Sequence, residues 1–513
     1  MCGFFASNNP KVSENHLELI KSRVNFRGPD GESSLIEHAG WKLYHARLAI
    51  IAPNPKYNQP YLDKNGSMLV FNGEILNFKA LAKKYNILEN DSDTHVLSLL
   101  LNINDFDLNE LEGFFAFVRI DSDGKLTHCA RDRFGVKPLN YHCKDNKFYT
   151  ISSEASVISD IFSLPYNPES IEEYKVFRAP IFQGSFFKEI NVVEPGSCLI
   201  SGKYFDSLSY VTSDFITIND LISETEEAIR ESIKSRMISD VPVGLLYSGG
   251  IDSNLINDIC EDELVKFTGG FEGDYDVIHA QKKRGYSNII NISNKDFIDR
   301  FNEMIKLRKE PLSVPNEVIL SFLAGKWSQS GGKVLLSGEA ADELFAGYDR
   351  IYSWAFQIKE FNIKQFLEHY AYSKIDDISL DIFDKTNEFF KKFEGLTPFE
   401  ITRQFFIKIH LPVLFRRLDF SLMYSGVEGR EPLASTMMFN VAMKANPEFL
   451  FKKNVGKYPL REIISKTQGK DFAFAKKVGF PVDLSCIFSY PNSDTRFTNY
   501  DIWRKENLRR INL

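Results

Sequence analysis

Through the N-terminal part of the chain apolar positions alternate with polar ones or gather in short runs. These runs are Trp41–Ile51, Met68–Asn72, Phe114–Ile120, Leu126–Arg131 and Phe148–Ser152. Their length and period predict β-strands. Asp121-Ser122-Asp123-Gly124 separates two of them and reads as a hairpin turn, since Asp bonds its own backbone and glycine allows a positive φ. The acidic run stops too soon for a calcium loop. Asn15–Phe26 and Asp93–Leu101 carry apolar residues at helical spacing. Short polar side chains dominate Tyr204–Asn219, and an amphipathic helix is predicted from about Leu221 to Met237. Beyond it the order is strand, loop, helix, repeated, with buried strands at Val241–Tyr247, Leu264–Phe267, Ile289–Ile292 and Val334–Leu336. That alternation predicts a parallel sheet with helices on its faces. From about Ser353 the pattern is mostly helical and rich in aromatics.

Composition narrows the class. A chain of 513 residues is too long for one core, so the change of character near residue 205 is read as a boundary between domains at 2–205 and 206–513. An apolar fraction of 43% is that of a globular protein, and a net charge of −7 gives no reason to expect nucleic acid or an anionic membrane as partner. No apolar run is long enough to cross a bilayer, and the N-terminus lacks the basic start of a signal peptide. The cysteines at 2, 129, 143, 198, 260 and 486 form no C-x-x-C pair and no disulfide-like spacing. A reducing cytoplasm is therefore expected.

Two loops of the second half carry chemistry. Ser248-Gly249-Gly250-Ile251-Asp252-Ser253 follows a predicted strand and opens a helix. Glycines permit close backbone approach, a helix N-terminus offers free N–H groups, and the serines add donors, so the loop suits a phosphate. Asp252 can hold a magnesium ion that bridges phosphate oxygens. The competing reading is a plain strand-to-helix turn. A kinase-type P-loop is excluded, because no Gly-Lys here is followed by Ser or Thr. The second loop, Ser337-Gly338-Glu339-Ala340-Ala341-Asp342-Glu343, places three carboxylates at a strand's carboxyl end. Asp342 and Asp252 can share one metal, leaving Glu339 free as a base. An acidic, solvated helix start is the alternative.

In the first half, Cys2 follows Met1, and its small side chain allows methionine removal. A thiol beside its own α-amine is a nucleophile with a built-in base; a buried structural cysteine is the alternative.

Ser248–Ser253 resembles the SGG-[LI]-DS pyrophosphate loop of N-type ATP pyrophosphatases, and Ser337–Tyr348 resembles the LSGEG-x-DELFGGY segment of asparagine synthetases. Further matches are Glu310–Asn316, Gly426–Arg430, Lys457–Arg461 and Lys477–Val482. Arg27–Asp30, His45–Ile50, Asn58–Pro60, Phe71–Glu74 and Ser92–Thr94 resemble class II glutamine amidotransferases. The resemblance runs along essentially the whole chain, in order. It implies an N-terminal-nucleophile hydrolase α-β-β-α sandwich (α+β) followed by a parallel-sheet α/β ATP-pyrophosphatase domain with a helical C-terminal part. It also implies ATP and Mg2+, small-molecule substrates (glutamine, ATP and a carboxylate acceptor), and compatibility with a homodimer.

The same resemblance implies site roles. Cys2 attacks the glutamine amide, and Asn72 and Gly73 form the oxyanion hole. Arg47 clamps the substrate α-carboxylate, while Glu74 and Asp93 receive its α-ammonium. Leu246, Ser248, Gly249, Gly250, Asp252, Ser253, Ser337 and Gly338 surround ATP, and Asp252 and Asp342 bind magnesium. Glu339 takes a proton from incoming ammonia, and Lys457 neutralises charge at the α-phosphorus. The expected product is the amide of a carboxylate activated as acyl-AMP, with aspartate the default acceptor and a sugar uronic acid the next. A non-catalytic regulatory homologue is the distant alternative. Departures from the family pattern lie at Lys309, Glu431, Ser435 and the shortened Gly273–Ile292 region with its Asp276-Val277, and are expected around the acceptor.

Overall fold

The structure, a computed structural model, describes residues 2–212, 217–274, 277–278, 288–476, 482–491 and 496–513. Most of Gly273–Ile292, with Asp276, and residues 477–481 of the Lys477–Val482 match lie outside the described residues.

Alternation sorts the N-terminal strands into two antiparallel sheets. In one, Cys2–Ser7 lies between Phe148–Ser152 and Trp41–Arg47; in the other, Met68–Ile75 lies between Tyr61–Leu62 and Gly113–Ile120. Phe4, Ala6, Leu43, Val70, Ala116 and Val118 meet between the sheets. The alternate residues face outward: Phe5 and Tyr44 pack with Ile20, Val24 and Ile158 of helices on one side, and Leu69 and Phe71 with Leu81, Val96 and Leu97 on the other. With successive side chains on opposite sides, the central strands bury two apolar faces, and the layers are α-β-β-α.

The second half is built on a five-stranded parallel sheet in the order Asn288–Asn291, Val265–Gly270, Val243–Leu246, Val334–Leu336, Glu428–Arg430. Leu245 and Leu336 point to one face, against Ile229 and Ile233 of the Ile218–Arg236 helix. Leu246 and Leu335 point to the other, against Leu323 of Asn316–Gln329 and Leu418 of Leu411–Met423. After Val243–Leu246 the chain adds strands on one side, then returns to add Val334–Leu336 on the other. The two neighbouring strands therefore enclose a topological switch point, where open α/β sheets bind ligands. The remaining helices form an aromatic-rich body around Phe366, Phe390, Phe405 and Phe406.

Candidate active sites

Cys2 is buried and opens its strand opposite Arg47 in the ladder. Its backbone N–H donates to Asn72 Oδ1 at 2.9 Å. That bond fixes the amide's orientation, because only the oxygen can accept. Asn72 Nδ2 is then a fully buried donor with no hydrogen-bond partner among the described residues. Such a group costs about 1–3 kcal/mol, a cost that needs a functional reason. Gly73 has φ +138°, and a Cβ there would lie 2.0 Å from the Phe114 carbonyl oxygen, so only glycine fits beside Asn72.

The Arg47 guanidinium donates to Ala52 O at 2.7 Å, Asn54 O at 3.0 Å and Asn58 Oδ1 at 2.6 Å. Glu74 and Asp93 are buried neighbours, and both carboxyls are pushed above the usual range, chiefly by burial. The Asp93 charge adds to the rise at Glu74, whereas the N–H groups of Ile75 (3.1 Å) and Thr94 (2.8 Å) oppose it at Asp93. Burial also pushes the Cys2 thiol up. His45 is buried against Phe71 O at 3.2 Å, and desolvation lowers its pKa to about 3, so it is a neutral structural group.

In the other half, Gly250 caps the Ile251–Ile259 helix, and its N–H donates to Ser248 Oγ at 3.3 Å. Gly338 touches this loop so closely that a Cβ on it would sit 2.8 Å from Asp252 Cβ. Leu246 ends the strand before the loop, and Ser337 N–H donates to Arg430 O at 2.8 Å. Lys457 Nζ, buried, lies 2.9 and 2.8 Å from the two Asp252 oxygens and 2.8 Å from Asp342 Oδ1. The sequence expectation gave lysine and carboxylates separate points of action; here one ammonium joins both acids. Glu339, expected to be left over from the metal pair as a base, has Arg417 3.7 Å from its Oε1.

Sequence reasoning missed a chain of hydrogen-bonded side chains behind these acids. Glu343 is buried and raised to about 7 by desolvation, with Asp342 and Glu339 adding. It accepts from the Tyr348 hydroxyl, which lies 3.3 Å from His410 Nε2; His410 Nδ1 lies 2.7 Å from the Tyr370 hydroxyl. His410 closes a π-helical turn, Phe406–His410, a local widening that often accompanies functional sites and that periodicity does not reveal.

Three of the departures from the family pattern lie among the described residues. Lys309 pairs with Asp160 of the N-terminal half. Glu431 is buried among Lys137, Arg236, Asp419 and Asp132, contributed by both halves. Ser435 caps the Thr436–Lys444 helix, accepting from Met438 N–H at 3.1 Å. Lys309 and Glu431 thus lie where the halves meet.

The family model described as asparagine synthase matches residues 224–493, more than half of the chain. The chain belongs to the asparagine synthase family. A model described as glutamine amidotransferase domain matches residues 1–209. Asparagine synthetase [glutamine-hydrolyzing] 1 of Bacillus subtilis is 28% identical, over 94% of this chain and 87% of that protein. A putative asparagine synthetase of Methanocaldococcus jannaschii is 29% identical over 66% of this chain and 73% of its own length. An amidase of Penicillium rubens, chyE, is 27% identical over 65% and 55%. With both parts present, this family member is an ATP-dependent ligase that takes nitrogen from glutamine. No helix among the described residues is long and apolar enough to cross a membrane.

Proposed function

We propose that residues 2–205 release ammonia from glutamine and residues 206–513 use it to amidate aspartate through an acyl-adenylate. The observation that carries the glutaminase half is the orphaned Asn72 Nδ2 beside Cys2. With Met1 removed, the Cys2 α-amine takes the thiol proton and Sγ attacks the glutamine amide carbon. The carbonyl oxygen becomes an oxyanion that Asn72 Nδ2 and Gly73 N–H stabilise. The C–N bond breaks as the nitrogen gains a proton, leaving a thioester that water hydrolyses to glutamate. Arg47 binds the α-carboxylate through its planar fork. Glu74 and Asp93 receive the α-ammonium, whose charge would offset their raised pKa values.

In the second half the acceptor carboxylate attacks the α-phosphorus of ATP and pyrophosphate leaves into Ser248–Ser253, with Leu246, Ser337 and Gly338 beside the nucleotide. Asp252 and Asp342 fit a magnesium ion, because they already converge on one cation, the Lys457 ammonium. Two carboxylates plus substrate phosphates are a usual magnesium set. The ion, when bound, would neutralise phosphate charge. Lys457 adds a fixed positive charge there, and Glu339 takes the proton lost by ammonia as it displaces AMP.

Aspartate rests on the names of the relatives. A different carboxylate, such as a sugar uronic acid, is the second reading, favoured by the amidase among those relatives and by Ser435 where the family pattern carries an acid. Incubation with glutamine, ATP, Mg2+ and aspartate decides between them. AMP and asparagine formed in step with glutamine consumption support the first. Glutamine hydrolysis with no aspartate-dependent AMP rejects it, and a screen of carboxylates for AMP release then finds the acceptor.

A further inference from the structure

The loop that holds Arg47 does not support itself. Ala52 has φ +46°, a conformation that a non-glycine residue keeps only when its surroundings hold it. Its carbonyl accepts from Arg47 at 2.7 Å, and its N–H donates to Asp240 Oδ2 at 2.7 Å. The Asp240 N–H donates back to Ile50 O at 3.1 Å. Earlier in the same loop, Ala49 N–H donates to Asp30 Oδ2 at 2.7 Å. That same oxygen lies 2.7 Å from Lys333 Nζ, which also reaches Ala49 O at 3.4 Å. Asp240 and Lys333 belong to the other half of the chain.

Their positions in that half matter. Asp240 shortly precedes the Val243–Leu246 strand, and Lys333 directly precedes Val334–Leu336. These strands are neighbours, with Val243 paired to Val334. At their far ends stand Ser248–Ser253 and Ser337–Glu339. The loop behind Arg47 is therefore fastened to the near ends of the two strands whose far ends bear the nucleotide loops. Strands in mid-sheet are bonded on both edges, so these anchors have a stiff base.

We infer that Asp240 and Lys333 are positioning residues for glutamine binding, so that the synthetase half sets the loop that aims Arg47. The inference rests on Arg47 as the α-carboxylate clamp. Asp240 carries the larger share, because a charged acceptor on a backbone N–H is a strong bond. The Lys333–Asp30 pair is partly solvated and contributes less.

Steady-state kinetics of the full chain test it. In Asp240→Ala the KM for glutamine should rise about tenfold, the loss expected for one charge-assisted hydrogen bond. The glutaminase kcat and the AMP release driven by saturating ammonium should each stay within about twofold, since neither needs the clamp. Asp240→Asn keeps an acceptor oxygen and should restore most of the affinity. Lys333→Met should raise KM about threefold, and it decides the question if Asp240→Ala does not fold. An unchanged KM, or a parallel loss of ammonium-driven AMP release, overturns the inference. Arg47→Lys separates the two readings. A normal KM there rejects the clamp itself, whereas a raised KM there with a normal KM in Asp240→Ala rejects only the positioning role.

Discussion

Glu431→Gln should stabilise this protein, and the gain should depend on pH. Glu431 is buried, and no hydrogen bond to its side chain is seen among the described residues. Desolvation raises its pKa from 4.5 to about 8; Lys137 and Arg236 pull it down, and Asp419 and Asp132 push it up. The folded chain therefore binds a proton that the unfolded chain releases between those two values. Stability must fall as pH rises through that window, because the unfolded state binds fewer protons there. Below about pH 4.5 the group is neutral in both states and exacts nothing. By pH 7 the penalty reaches about 3 kcal/mol, and it levels off above pH 8 at about 5 kcal/mol, at 1.36 kcal/mol per pKa unit.

Glutamine has nearly the same shape and cannot ionise, so Glu431→Gln should remove this term alone. Urea unfolding of wild type and variant, followed from pH 5 to 9, measures it. Other titrating groups act on both proteins and cancel in the difference. The stability curves should nearly meet at the acid end and separate by several kcal/mol at the alkaline end. A constant offset across the range would refute the reasoning, since it would mean that Glu431 does not titrate between its folded and unfolded values. A variant that loses stability with rising pH as steeply as wild type would refute it equally.

Cys2→Ala should abolish glutamate release while ammonium-driven amide formation continues; loss of both in a folded protein contradicts the separation of sites. Asn72→Leu should lower glutaminase kcat about 10²- to 10³-fold with a smaller change in KM, as expected for an oxyanion donor, and a preserved kcat would remove Asn72 from that role. Asp252→Asn and Asp342→Asn should each slow pyrophosphate release at least about a hundredfold, through loss of charge at the proposed magnesium site, while glutamine hydrolysis persists. Isotopic exchange between pyrophosphate and ATP reads this directly.

The central sandwich strands were legible because each has one face toward the other sheet and one toward helices, which leaves short continuous apolar runs. The apolar run Trp41–Ile51 misled at its end. The strand stops at Arg47, and Leu48, Ile50 and Ile51 are buried as a loop packed in the helix-side core. Burial alone does not tell strand from covered loop. Glu428–Arg430 completes the parallel sheet with three residues, two of them charged, and no periodicity can mark it. Asn140–Lys144 escaped for the same reason: its residues are mostly polar though paired on both edges. At the sites, each loop carried its own chemical signature, so the acids and glycines were found. What spacing could not supply was who meets whom. Lys457 lies 205 positions from Asp252, and only the fold brings its ammonium between two acids.

The same limit explains why the halves cannot be understood one at a time. Arg27 is fully buried in the N-terminal half and donates Nε to the Cys2 carbonyl at 3.1 Å and one terminal nitrogen to Glu154 at 2.8 Å. Its other terminal nitrogen reaches Asp419 of the second half at 2.8 Å. Lys137 lies 3.4 Å from the remaining Asp419 oxygen. Asp419 sits on the Leu411–Met423 helix, two positions from Arg417, the group beside Glu339. Helical residues two apart project to different sides, so one helix faces the glutaminase strand and the synthetase acids at once. A buried charge is tolerable only with its partners in place, and removing one partner of such a set costs about 3–5 kcal/mol. If the halves parted, Arg27 and Asp419 would each have to be rehydrated. The groups paired across the docking surface thus also contact the nucleophile's strand and the helix behind the amidation site. A substitution in this cluster should therefore disturb both activities, unlike the changes confined to either site.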